Sequence, residues 1–261
     1  MLAPLIAYRG FIFSAVRREF SVRYARSLLG VGWALLHPVA LILVYTLIFS
    51  KLMAERLPLD GSPFGYGLYL CAGLFAWSLH SEVVTRSANM FLEQAALLKK
   101  VAFPRSCVPA IVGLGATLNY LIVLALFIFV LLALGKAPGF GLLAAIPLLA
   151  IQLIFSLGVG LIMGVLNVFF RDVGHLVGIG LQLWFWLTPI VYPAEILPES
   201  VRSFLLLNPM AVLIGGWQKV LVFHTEPGWG ALGLVAIVSA ILLASGAWLL
   251  ARFGDEMMDE L

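Results

Sequence analysis

The chain has 261 residues, 62% of them hydrophobic and only 11% charged, with a mean hydropathy of +1.07. A water-soluble domain of this length needs more polar surface, so the composition excludes an ordinary soluble globule and points to one membrane domain, spanning 1–261, with small parts outside the bilayer. The net charge of +3 comes from arginines and lysines that flank apolar runs, with no separate basic domain, which argues against nucleic acid as a partner.

The N-terminal segment, about 5–28, reads as an amphipathic helix. Ile12, Phe13, Val16, Phe20 and Tyr24 share one face, Arg18, Glu19 and Arg26 lie off it, and Arg9 and Arg23 intrude at positions from which they can snorkel to headgroups. We expect it to lie in the membrane interface and to turn abruptly at Leu29-Gly30-Val31-Gly32 into the first span. A soluble helix packed on a partner is the alternative. Residues 1–26 lack a compact apolar stretch with a cleavage site, so the first span itself is expected to direct insertion.

Six apolar runs follow, at roughly 33–52, 67–87, 108–134, 142–168, 174–193 and 229–251. A helix of about 20 apolar residues crosses ~30 Å of hydrocarbon. Stretches such as 120–134 are apolar on every side, so a β-barrel, which alternates, is excluded. The expected fold is therefore an all-α integral membrane protein with six transmembrane helices, an interfacial helix and short re-entrant outer helices.

Lysines and arginines divide unevenly between the two sides of these spans. Arg9, Arg17, Arg18, Arg23, Arg26, Arg86, Lys99, Lys100, Arg105, Arg171 and Arg252 fall on one side; Lys51, Arg56, Lys136, Arg202 and Lys219 fall on the other. Eleven against five places both termini in the cytoplasm.

Between the second and third spans runs Leu97-Leu98-Lys99-Lys100-Val101-Ala102-Phe103-Pro104-Arg105, short, basic and amphipathic. Phe103 is expected to project before the proline stop, as in a helix that docks a cytosolic partner; basic flanking charge alone is the plainer reading. The fifth run, Gln182 to Pro193, is the most unusual. Its two prolines kink or end the helix, with Phe185, Thr188 and Tyr192 on one stripe and Gln182, Trp186 and Pro189 on the next. Such aromatics suit either the lining of a sugar-conducting channel or a belt at the interface. Tyr45 and Phe49 of the first span carry the same two readings. The stretch 194–228 mixes apolar pieces with Asn208-Pro209 and Gly215-Gly216, and reads as two short helices capping the outer mouth.

Chemistry is sparse. The sequence contains no GxxxxGK[ST], HExxH, GxSxG or CxxC pattern. The centres of the third, fourth and sixth spans carry no ionisable residue, which argues against an ion-coupled transporter. Asn119, Gln152 and Gln182 are read as interhelical amides, and Glu82 with Arg86 as a pair four apart on one helix. Gly160-x-x-x-Gly164, with Ser156 a turn earlier, allows close helix approach within the chain or between copies. His37, His80, His175 and His224 are scattered, and Cys71 and Cys107 are read as structural.

Five strings in order resemble one family. They are Arg17-Arg18-Glu19-Phe20 with Arg23-Tyr24, Ser27-Leu28-Leu29-Gly30, Trp33 and Pro38; Leu98 to Arg105; Asn167 to Val173; Trp186 to Tyr192; and Leu207-Asn208-Pro209-Met210. Together they resemble the ABC transporter type-2 permeases that export O-antigen, capsule and teichoic acid polysaccharides. The resemblance implies a homodimeric pore for a lipid-linked polysaccharide in the bacterial inner membrane, served by two copies of a cytosolic ATPase. That partner would hold ATP and Mg; this chain would hold no cofactor or metal and catalyse no bond cleavage. It further implies that about 94–105 is a coupling helix, with Leu98, Lys99, Lys100, Phe103, Pro104 and Arg105 meeting the ATPase. Arg17, Arg18, Phe20, Arg23 and Tyr24 would belong to an interfacial gate helix. Spans one and five would line the channel through Tyr45, Phe49, Trp184, Phe185, Trp186, Thr188 and Tyr192. A type-2 permease for a small apolar drug or lipid, and an integral-membrane transferase built on Arg171-Asp172-His175, are the competing expectations.

Overall fold

The computed structural model describes residues 2–25, 32–45, 64–100, 103–136, 139–205 and 207–261. Two surface helices, α1 (Leu2–Ala7) and α2 (Arg9–Ala25), meet at Tyr8. Then come α3 (Gly32–Val44), α4 (Gly65–Glu93), α5 (Ala95–Lys100), α6 (Cys107–Ala133) and α7 (Ala145–Phe169), the last entered through a 3₁₀ turn, Phe140–Ala144. Helix α8 (Asp172–Trp186), a 3₁₀ turn (Ala194–Ile196), α9 (Glu199–Leu205), α10 (Pro209–Gln218) with a π turn (Lys219–Phe223), and α11 (Trp229–Glu260) complete the chain. No strand occurs among the described residues. Pro109, Pro147 and Pro209 sit in first turns, where a missing N–H costs nothing.

Three helices among the described residues are long and apolar enough to cross a bilayer: Cys107–Ala133, Gly141–Phe169 and Trp229–Glu260. They fall on the third, fourth and sixth expected spans. Helix α4 covers the second but is less apolar, and its position explains why. Most of its 29 residues, from Gly65 to Phe91, are buried against neighbouring helices, so protein rather than lipid meets His80 and Ser87 and covers much of Glu82. Of the first expected span the structure describes Gly32–Tyr45; Phe49 and the expected turn at 29–31 lie outside the described residues.

The fifth expected span needs correction. Helix α8 has 15 residues, so it is about 22 Å long and stops short of a full crossing. Pro189 and Pro193 cannot donate to a helix, and Pro189 also disfavours helical geometry at Thr188. The chain runs on irregularly through residues 187–193, with Thr188, Ile190 and Pro193 buried in protein. Irregular backbone at membrane depth is tolerated only in such surroundings.

Helix α7 is the axis of the bundle, held between α4 and α11. Its face Gln152, Ser156, Gly160, Gly164 and Asn167 advances by three or four residues at a time and lies on α4. A Cβ on Gly160 would stand 2.5 Å from Ser87 Cβ, and one on Gly164 would run into the Ser87 carbonyl, so the two backbones touch. On the α11 side a Cβ on Gly158 would meet Leu243 N at 2.7 Å, while Gly246 of α11 lies over Leu161. The small-residue motif therefore serves packing within the chain.

Candidate translocation and coupling surfaces

Along the α4–α7 seam most polar groups pair, while His80 Nε2 and Ser87 Oγ are buried without a hydrogen-bond partner among the described residues. Gln152 donates to Ala76 O (2.5 Å) and accepts from Trp217 Nε1 (2.6 Å) of α10. His80 Nδ1 meets Ser156 Oγ at 2.8 Å, and its ring lies among Trp77, Phe155 and Trp184. Asn167 donates to Ala88 O (2.8 Å) and accepts from Gly174 N (2.8 Å), which fixes the start of α8. Gln152 thus fills the role read from sequence. Gln182 does not: it stands exposed on α8.

Helix α10 is the most deeply buried of the short helices. Met210, Leu213, Ile214 and Trp217 are fully enclosed, whereas Phe204 at the end of α9 is 72% exposed. The two pieces read alike in sequence yet differ completely in burial. Asn208 joins α10 to the end of α8. Its Oδ1 accepts from Met210 N (3.1 Å), capping α10, and from Trp184 Nε1 (2.9 Å); its Nδ2 donates to Thr188 Oγ1 (3.1 Å) and Leu187 O (3.4 Å). From sequence Asn208 marks a break in the 194–228 stretch and belongs to a family string, with no capping role. An Asn-Pro pair before an apolar run was the available signal for its capping role.

This arrangement sorts the aromatic residues of the fifth run. Trp184 and Phe185 are half-buried and pack on Trp77; Thr188 is buried, donating to Trp184 O (2.7 Å). These three face the inside of the chain. Trp186 is 61% exposed, and half-buried Tyr192 donates to its carbonyl (2.9 Å). Tyr45 is half-buried against the core. His175, Ile179, Gln182 and Trp186, at helical spacing, make one exposed stripe on α8. That stripe mixes an imidazole and an amide with apolar Ile179 and Trp186, whereas outward residues of α6 and α11 such as Leu118, Phe129, Ile237 and Ile241 are apolar.

At the α5 end of the bundle, α2 rests on α6 through Ile12 and Val16 against Cys107 and Ile111. Phe13, expected on the apolar face, is 65% exposed, and Phe20 is half-buried. Arg17 and Arg18 are exposed; the side chains of Arg23 and Tyr24 lie outside the described residues. Glu19, expected on the polar face, turns inward to pair with Arg86 of α4. Arg86 also contacts Glu82 (3.4 Å), and Glu82 accepts from Asn119 Nδ2 of α6 (3.0 Å). The i,i+4 pair read from sequence is present but belongs to this wider network.

Phe103 does not project. It is half-buried, its ring 5.1 Å from that of Phe11, and it packs with Leu98 near buried Met257 of α11. Pro104 and Arg105 are half-buried as well, and Arg105 lies over Gly254 and pairs with Asp255 (2.9 Å). Lys99 and Lys100 are the members of this group left exposed, on a helix with no buried residue. Arg171, Asp172 and His175 are all exposed, and no group of three or more His, Cys, Asp or Glu among the described residues is placed to hold a metal ion.

A helical bundle with three helices long and apolar enough to cross a bilayer defines a membrane protein. Residues 11–222 match the ABC-2 type transporter family, and the chain belongs to it. It is 34% identical over 245 residues to the O-antigen export system permease protein RfbA of Myxococcus xanthus, covering 93% of this chain and 92% of that protein. A protein of the same name from Klebsiella pneumoniae is 32% identical over 221 residues, 83% of each chain. The polysialic acid transport protein KpsM of Escherichia coli is 25% identical over 201 residues, 76% of this chain and 75% of that one.

Proposed function

We propose that this chain is the membrane-spanning half of an ATP-driven exporter that carries a lipid-linked, O-antigen-like polysaccharide out of the cytoplasm across the bacterial inner membrane. The observation that carries the reading is similarity to a protein named for O-antigen export over 92% of that protein's length. Both termini lie in the cytoplasm, as the distribution of lysine and arginine favours.

The pathway forms between two copies of the chain. Among the described residues the interior of one copy is filled by side chains such as Phe91, Phe127, Phe155 and Trp217, which favours a path between copies. The exposed stripe of α8 carries an imidazole and an amide, groups that hydrocarbon disfavours and that a water-filled channel accommodates. Trp186 and Gln182 face that path, together with the first span. The segment 194–228 closes its outer end. In the cytoplasm, α5 presents Lys99 and Lys100 to an ATPase that holds ATP and Mg, with Phe103, Pro104 and Arg105 seating α5 against α2 and α11. The surface helix that includes Arg17, Arg18, Phe20, Arg23 and Tyr24 flanks the cytoplasmic entrance. The chain itself breaks no covalent bond.

The test is co-purification followed by export. The tagged chain should bring down an ATPase at equal stoichiometry, and Lys99→Glu with Lys100→Glu should break the complex while leaving the chain in the membrane. Transport or modification of a substrate by the chain alone in liposomes, without nucleotide, would overturn the reading.

One observation favours export of a small apolar compound instead. A lateral groove of about 740 Å³, lined wholly by apolar residues including Leu121, Leu124, Leu142 and Leu149, opens between α6 and the start of α7. Filling it with Leu124→Trp should leave glycan export unchanged; lost export of an apolar compound would support the second reading.

A further inference from the structure

Arg86 stands where three helices meet. It pairs with Glu19 of α2 and contacts Glu82 one turn back on α4, while Glu82 is held by Asn119 of α6. Space for this is made by Gly115 of α6, where a Cβ would stand 3.3 Å from Arg86 Nη1 and 3.5 Å from Glu19 Oε2. The Arg86 side chain is only 21% exposed, so its charge-assisted bonds are partly sheltered from water.

The apolar attachment of α2 is thin by comparison. Among its described side chains Ile12 and Val16 are buried, both in its N-terminal half, while Phe20 is half-buried and Phe13 and Val22 are mostly exposed. Beside Glu19 a cleft of about 600 Å³ separates α2 from the corner between α4 and α5, with Ala15, Val22, Gln94 and Leu97 on its walls. Across that cleft Glu19 ties the C-terminal half of α2 to Arg86 of α4. A helix seated by apolar contacts in one half and tied by an ion pair in the other takes part of its angle from that pair.

We infer that Arg86 is a positioning residue that fixes the angle of α2 against α4 and α6, and thereby couples the surface helix to the transport stroke. This coupling role rests on the exporter reading above; the positioning role does not. The network's charges are shared, so removing Arg86 leaves Glu19 and Glu82 without their common cation.

Two measurements test it. In the first, Val16→Cys faces the native Cys107 across the α2–α6 contact, with Cys71→Ser removing the other thiol. Oxidant-driven disulfide formation in isolated membranes reports how α2 is seated. Arg86→Gln and Glu19→Gln should each slow it about tenfold, and the double variant should be no slower than either single one. Arg86→Lys should recover part of the rate. Rates unchanged in both single variants, or additive losses in the double variant, would overturn the positioning role. In the second, the complex with its ATPase is assayed for glycan exported per ATP hydrolysed. Arg86→Gln should lower that ratio while hydrolysis continues, and Arg86→Lys should restore much of it. An unchanged ratio with slowed disulfide formation would overturn the coupling and leave the positioning. Absence of nucleotide-driven export in the wild-type complex would instead strike the exporter reading.

Discussion

The α4–α7 seam and the outward face of α8 lie on adjacent helices but are built on opposite rules. At the seam, glycines bring backbones into contact, and Gln152, Asn167 and the Nδ1 of His80 find partners inside the chain. On α8, Gly178 and Gly180 would meet nothing within 4 Å if given a Cβ, and His175 and Gln182 stand exposed. The same residue types, small and amide, therefore do unlike things. Most of the seam's polar groups are paired inside the chain, whereas those of the α8 face are open. The proposed two-copy pathway calls for such a division, with a packed wall behind and a wetted face in front.

The comparison breaks most readily at the seam. Gly164→Leu would drive a side chain into the Ser87 carbonyl, which cannot swing aside, and is expected to destabilise the chain by about 3 kcal/mol. Folded protein recovered from membranes should fall sharply, as read by size-exclusion of a fluorescent fusion. Gly180→Leu, with open space around it, should leave recovery unchanged. Equal behaviour of the two variants would erase the distinction. Gln152→Leu is the next effect. It leaves Trp217 Nε1 and the side-chain contact to Ala76 O unmade, at a cost of about 1–3 kcal/mol, seen as a lower thermal midpoint in detergent.

Much of this contrast was legible in the sequence, and the illegible part has physical causes. Unbroken apolar runs fixed α6, α7 and α11, because a lipid-facing helix must be apolar all round. The Gly160–Gly164 spacing announced a close approach but not its partner, since the motif is the same whichever helix it meets. Helix α8 was read too long because apolar residues continue to Pro193, and only the bond pattern around Thr188 shows where the helix yields. Glu19 was misplaced because helical periodicity ranks a carboxylate as solvent-facing, while a cation sixty-seven positions away turns it inward. Phe103 was expected outside for a similar reason: nothing local reveals that Phe11 lies beneath it.

Asn208 sits between the two regions and tests whether they are linked. It caps α10, which belongs to the filled interior, and bonds to Trp184, Leu187 and Thr188 at the end of α8. Asn208→Ala should cost about 1–2 kcal/mol as a lost cap. It should also free the end of α8, so export is expected to fall further than the midpoint shift alone accounts for. Asn208→Asp keeps the acceptor for Met210 N and Trp184 Nε1 but loses the donor to Thr188. Stability near wild type with impaired export in that variant would assign the functional share to the α8 side.

The smallest expected change in stability carries the sharpest information about α8. Gln182→Leu removes an exposed amide, with no partner among the described residues, and substitutes a side chain that lipid would welcome. If the stripe faced hydrocarbon, the variant would be more stable and export unaffected, because an exposed amide in a bilayer is costly. If the stripe faces a wetted path, stability should move by less than about 0.5 kcal/mol, as for other open positions. Export should then drop, since an apolar side chain replaces a group able to bond a passing hydroxyl. Trp186→Ala extends the logic along the same stripe: it removes a broad ring that is 61% exposed and so should barely alter folding. Measured together, thermal midpoint and surface glycan separate the two environments. Only a wetted face predicts that these variants leave the first unmoved and lower the second.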